Sequence, residues 1–249
     1  MNRSIIIISL LSGLALSAHS AGFKNQQLAN ARVKAAFIQK EPLLKQLFVG
    51  KKLAYPPKAI FIRIFKREQR LEVWARTDTG QTYVHVKDYP ICASSGEPGP
   101  KRRMGDCQVP EGFYRINHFN PFSNFHLSLG LDYPNASDRY FSRGHNPGGS
   151  IYLHGNCVTI GCVPIGDEGI KELYPLAVEA RDHGQEKIPV HIFPAKMDSA
   201  GFSALKAEFG TNAGLLGFWA NLKQGYDIFE TSHRPPAVSI DAKGRYDFR

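Results

Sequence analysis

The stretch that decides the reading is Ser150-Ile151-Tyr152-Leu153-His154-Gly155-Asn156-Cys157-Val158-Thr159-Ile160-Gly161-Cys162-Val163-Pro164-Ile165. A short apolar, β-prone segment gives way to small and polar residues, and a second short apolar segment follows. That is the pattern of a strand, a tight loop and another strand. It puts His154 at the end of the first strand and Cys162 at the start of the second, facing each other across the loop. A thiol beside an imidazole is an activated nucleophile, because the thiolate attacks and the thiol hardly does. Gly161 lets the chain turn sharply just before Cys162 and leaves room for a carbonyl to approach the Cys162 amide. Most cysteines are packing residues. What sets this one apart is the compact His-Gly and Gly-Cys arrangement, since glycine has no packing use in a strand.

Outward from this loop the chain reads as one mainly β domain with helices at both ends. Upstream, residues 59–65, 71–75 and 82–86 alternate as strands of an antiparallel meander, with a turn at Asp78-Thr79-Gly80; residues 113–116 and 125–129 are further strands. Downstream, Asp167 is placed to cap a helix that breaks at Pro175 and ends at Gly184, and residues 188–193 form a last strand. His85 and His191 alternate with apolar residues and read as sheet positions. Residues 22–57 form a helical arm, broken near Pro42, ended at Gly50 and joined through Tyr55-Pro56-Pro57. Residues 58–195 form the main domain and residues 196–249 a second helical extension.

Two polar stretches flank the central loop. Residues 93–106 mix turn formers with cations, and Lys101, Arg102 and Arg103 are candidate carboxylate binders. Residues 135–149 lead straight into the His154 strand and should wall the cleft, with Tyr140 and Arg143 as candidate substrate contacts.

Bulk properties narrow the class. The 249 residues are 43% hydrophobic and 21% charged, which excludes a disordered chain and allows one sizeable core. Residues 1–21 read as a cleavable secretory signal: Arg3, an apolar run over residues 5–16, and Ala18-His19-Ser20-Ala21 at the cut. The apolar run is too short to span a bilayer, so the membrane is met only through the signal and the mature protein is expected in the periplasm. The net charge of +9 fits attraction to an anionic polymer such as a cell wall. Export and the lack of a binding motif argue against nucleic acid. Of the four cysteines, Cys92 and Cys107 are expected to bridge the base of the glycine-rich loop, and a Cys157–Cys162 bond would switch the nucleophile off.

The central stretch resembles the L,D-transpeptidase catalytic-domain (YkuD-type) family. There a His-Gly pair precedes a Ser-His-Gly-Cys nucleophile motif; His154-Gly155 and Thr159-Ile160-Gly161-Cys162 stand in those places, with Thr159 for the serine and Ile160 for the histidine. The short loop and Ile160 are similar to a periplasmic sub-branch with at least one hydrolytic activity, which detaches protein from the peptidoglycan stem. The run Gly99-Pro100-Lys101, Gly105-Asp106 and Pro110-Glu111-Gly112 also resembles a family segment near the cleft, with Val109 in place of a threonine. The resemblance implies a β-sandwich catalytic domain and peptidoglycan as partner, with a wall-linked lipoprotein as a further one. The bond attacked would lie next to meso-diaminopimelate.

The implied chemistry needs no cofactor. Cys162 is the expected nucleophile and His154 its base or its imidazolium partner, with Gly155 orienting the ring. Backbone N–H groups around Ile160, Gly161 and Cys162 would hold the oxyanion, and Thr159 would join the substrate contacts. Lowering a thiol pKa by about two units takes roughly 2.7 kcal/mol, which a neighbouring imidazolium would supply. Transfer to an amine is the first reading and amidase action the second. A catalytically inactive wall-binding module and a zinc site on His154, Cys157 and Cys162 rank below them; the spacing of the two cysteines misses that of structural zinc.

Overall fold

The computed structural model describes residues 22–78 and 82–249. The expected signal at 1–21 and the centre of the turn at 78–80 lie outside them. The elements run α1 (Phe23–Leu28), α2 (Ala31–Gly50), β1 (Ala59–Phe65), β2 (Arg70–Arg76), β3 (Val84–Pro90), β4 (Gly112–Asn120), β5 (Ser128–Leu131) and α3 (Ala136–Phe141). Then follow β6 (Tyr152–His154), β7 (Val163–Pro164), α4 (Gly166–Asp182), β8 (Ile188–Phe193), α5 (Ser199–Phe209), α6 (Ala213–Ser232), β9 (Val238–Ile240) and β10 (Tyr246–Phe248). Eight strands make one sheet in the order β3-β2-β1-β8-β4-β5-β6-β7, and β9 and β10 form a separate hairpin. The class is α+β, with helical extensions at both ends.

The sheet is covered on both faces by different parts of the chain. On β1, Ile60, Ile62 and Ile64 point one way into a core shared with Val33, Phe37 and Phe48 of α2 and Leu173, Leu176 and Val178 of α4. Phe61 and Phe65 point the other way; Phe61 meets Phe229 of α6 at 4.7 Å between ring centroids, and Phe65 joins Trp219 and Tyr226 in a second core. The result is a strand buried along its whole length, which explains why it reads as a nearly unbroken apolar run. Its one charge, Arg63, is 5% exposed. Arg63 donates twice to Glu72 Oε2, at 3.0 and 2.7 Å, pairs with Glu230 of α6, and lies against the ring of Phe229. A buried guanidinium is tolerable only when so fully partnered.

Two expected helix breaks do not occur. Pro42 lies inside α2 and Pro175 inside α4. A proline in a helix interior costs about 3 kcal/mol. Each helix offsets it by burying a long apolar face, Val33, Ala36, Phe37, Leu44 and Phe48 on α2 and Ile170, Leu173, Leu176, Ala177 and Val178 on α4. Asp167 sits in the first turn of α4, while the residue at its N-cap is Ile165.

Candidate active site

The site is built on the far edge of the sheet. β6 and β7 run parallel, with Leu153 opposite Val163 and His154 opposite Pro164. Leu153 and Val163 are 0% and 1% exposed and fix which face points into the core. Alternation then sends His154 to the opposite face, and Cys162, one residue before Val163, goes with it. By strand spacing and rise their α-carbons are about 8 Å apart, one rung diagonally, so thiol and imidazole leave the same face of the sheet.

The His154 ring is held in one orientation. Its Nδ1 lies 2.5 Å from the carbonyl oxygen of Gly155. A carbonyl can only accept, so Nδ1 carries the proton and Nε2 keeps the free lone pair. The ring packs on Phe125 at 4.6 Å between centroids. Burial pulls the His154 pKa below the usual histidine value, against the Gly155 hydrogen bond that raises it. Gly155 has no room for a side chain: a Cβ there would stand 2.5 Å from Asp167 Oδ1 and 2.7 Å from Phe125 O.

Cys162 is half-buried, with its Sγ 3.6 Å from the Ser150 carbonyl oxygen. Burial pushes its thiol pKa up, opposed by the Tyr152 N–H and the nearby Lys101 ammonium. In each case burial works against the charged form of the group.

The loop between them is anchored at several points. Gly155 N–H donates to Phe125 O at 3.1 Å, and Asn156 N–H donates to Asp167 Oδ1 at 2.8 Å. A disulfide joins Cys157 to Cys92, and Cys107 and Cys162 are free thiols. The expected Cys92–Cys107 bridge is thus not formed, nor is a Cys157–Cys162 bond. The reason is topological: beyond β3 the chain passes beside β7, where Cys92 N–H donates to Pro164 O at 3.1 Å, and this brings Cys92 to the loop. The disulfide also removes Cys157 from the zinc ligand set.

Thr159 works inside the loop. Its hydroxyl donates to the Cys162 carbonyl at 2.8 Å and accepts from Gly161 N–H at 3.1 Å. That occupies the Gly161 amide expected to face an oxyanion, and both hydrogen-bonding roles of the hydroxyl expected to meet substrate. Gly161 itself has φ +135°, and a Cβ there would stand 3.0 Å from Gln108 O, so glycine is required. Ile160 projects into solvent, 81% exposed.

The cationic candidates part company. Lys101 is 5% exposed, and its ammonium donates to Asp106 Oδ1 at 2.6 Å and Arg103 O at 2.8 Å. Arg102 pairs with Asp138 at 3.0 Å and lies over the rings of Phe141 and Phe218. Both charges are engaged within the protein; Arg103 is exposed, with no ion pair on its side chain among the described residues. Arg143 stacks on Tyr140 at 3.8 Å, and Tyr140 packs against Gly244 of the C-terminal hairpin. The sequence reading missed Phe125 and Gln108 and gave Asp167 only a helix-capping role. None carries a local motif; each acts through a contact made only on folding.

The profile of the YkuD family, the L,D-transpeptidase catalytic domain, matches residues 59–192. The protein named "Putative L,D-transpeptidase YafK" in Escherichia coli strain K12 is 36% identical over 189 residues, covering 75% of this chain and 72% of that protein. Its namesake in Escherichia coli O157:H7 matches to the same extent. Among solved structures, the helical cell shape determining protein Pgp2 from Campylobacter jejuni aligns at TM-score 0.43 and 18% identity, over 82% of this chain and 81% of that one.

Proposed function

The chain belongs to the L,D-transpeptidase catalytic-domain family, and on that premise we propose that it transfers acyl groups of peptidoglycan stem peptides through a Cys162 thioester. The observation that carries this reading is the shared sheet face of His154 and Cys162, with the His154 Nδ1 proton committed to Gly155. Nε2 takes the thiol proton as sulfur attacks the carbonyl carbon next to meso-diaminopimelate. The carbonyl π-electrons move to oxygen, where the Cys162 amide supports them. Collapse expels the leaving amine, which receives the proton from His154, and leaves the thioester. A second amine then attacks, His154 takes its proton, and the thiol returns as leaving group. Water in place of that amine gives hydrolysis.

The Cys92–Cys157 disulfide supports an oxidising compartment, in keeping with export to the periplasm. The test is incubation with purified peptidoglycan followed by product mass. A new cross-link shows transfer, and a released peptide or protein shows hydrolysis by the same thioester. Cys162→Ala should abolish turnover and covalent capture by a carbapenem, while its thermal unfolding stays within a few degrees of wild type. Full activity in that variant would overturn the assignment.

A further inference from the structure

The face of the sheet that carries Cys162 leads to a trough that the reaction above does not use. Three adjoining cavities of about 440, 580 and 400 Å³ lie around the end of the sheet where β8 begins. Lys187 lines all three; Pro189 and Pro236 are common to the first two, Arg115 to the first and third. The shared residues make them neighbours around one end of the sheet. Its lining carries the cations Lys58, Arg76, Arg115, Arg181, Lys187 and Arg234 against the acids Asp132 and Glu186. Arg115 pairs with Asp132 at 2.7 Å, Lys58 donates to the His183 carbonyl at 3.1 Å and Arg181 to that of Glu186, whereas Lys187 is exposed and has no hydrogen bond or ion pair among the described residues.

Register places this trough relative to the thiol. Tyr152 pairs with Gly130 of β5, Gly130 with His118 of β4, and Phe113 of β4 with His191 of β8. Alternation puts Arg115 and Asp132 on the same face as Tyr152 and Cys162. Counting three strand spacings and two residues along, Arg115 stands about 16 Å from Cys162. Val238 and Ile240 of the C-terminal hairpin line the first cavity.

We propose that this trough is a second binding site for the anionic wall polymer, holding carboxylate-bearing stem peptides of peptidoglycan away from the bond being cut. It rests on the reading that peptidoglycan is the substrate. One carboxylate would fill one cavity; neighbouring cavities with cations among them suit a chain that repeats its carboxylates along a neutral backbone. Several weak contacts of this kind raise local substrate concentration at Cys162 and are screened by salt.

The test is co-sedimentation with purified sacculi across a salt series, alongside turnover of a soluble stem-peptide fragment. Lys58→Glu/Lys187→Glu should weaken retention about tenfold and flatten its salt dependence, with fragment turnover within about twofold of wild type. Lys34→Glu/Lys206→Glu, the same charge change on exposed helix positions elsewhere, should retain wild-type binding. Unchanged retention in the first variant, equal loss in the second, or wild-type capture by anionic lipid vesicles but not sacculi would each overturn the proposal. Lys187-dependent retention without turnover would support the trough and sink the reaction instead.

Discussion

His154 and His191 stand on the same face of one sheet, 1% and 3% exposed, and burial lowers the pKa of both. Burial therefore does not separate a candidate base from a bystander. The difference lies in what covers each half of the face. Over β1, β8 and β4, the C-terminal helices and hairpin pack on the sheet: His191 lies against Phe61 and Phe113, each at 4.6 Å, and its Nδ1 has no hydrogen-bond partner among the described residues. On β6 the His154 ring is clamped by Gly155 and Phe125, and the half-buried Cys162 leaves the same face of the sheet. A histidine becomes useful where the fold commits one nitrogen and leaves the other free toward a nucleophile.

The sharpest way to break this contrast is at His154. His154→Gln should lower turnover by about 10²–10⁴-fold, the usual worth of a positioned base. The raised thiol pKa sets the sign of a second readout. At neutral pH only a small thiolate fraction exists, and it grows about tenfold per pH unit until the pKa is passed. Iodoacetamide capture of Cys162 should therefore climb steadily through pH 9 in both wild type and variant. A wild-type plateau below pH 8 that the variant loses would show a resting ion pair, and the comparison with His191 would have to be redrawn.

A smaller effect should follow from freeing the loop that holds the two groups in register. Cys92→Ser/Cys157→Ser is expected to cost about 2–4 kcal/mol of stability. Turnover should fall about tenfold as the loop loses its anchor. Cys107→Ser, at an exposed free thiol, should change neither. Thermal melts and turnover of the soluble fragment check both, and equal behaviour of the two variants would show that the disulfide does not position the site.

What could be read in the chain beforehand was whatever depends on neighbours in sequence. The alternation of residues 59–65 announces β1, and the His-Gly and Gly-Cys pairs announce the loop, because both follow from local backbone geometry. The disulfide could not be read, since Cys92 reaches Cys157 only after β3 exits beside β7. The fate of the cations splits the same way. Lys101 finds Asp106 five residues on, a pairing open to inspection, while Arg102 finds Asp138 across the fold. Pro42 and Pro175 misled because local propensity was overruled by tertiary burial.

The least disturbance to catalysis should come from the other histidine. Enclosed by aromatic rings and repelled by Arg63, His191 has its pKa pushed down to about 3. The unfolded chain takes up that proton near pH 6.5 and the folded protein does not. Stability from this group is complete above pH 6.5 and falls as pH drops, by about 1.4 kcal/mol per unit, until pH nears the folded value. His191→Phe should leave turnover unchanged at neutral pH, hold stability within about 1 kcal/mol at pH 8, and flatten the acid limb of the stability curve. Denaturant melts between pH 4 and 8 read this directly. A parallel acid limb in the two proteins would mean that His191 is protonated in the fold, and that the covered half of the sheet is wetter than its rings imply.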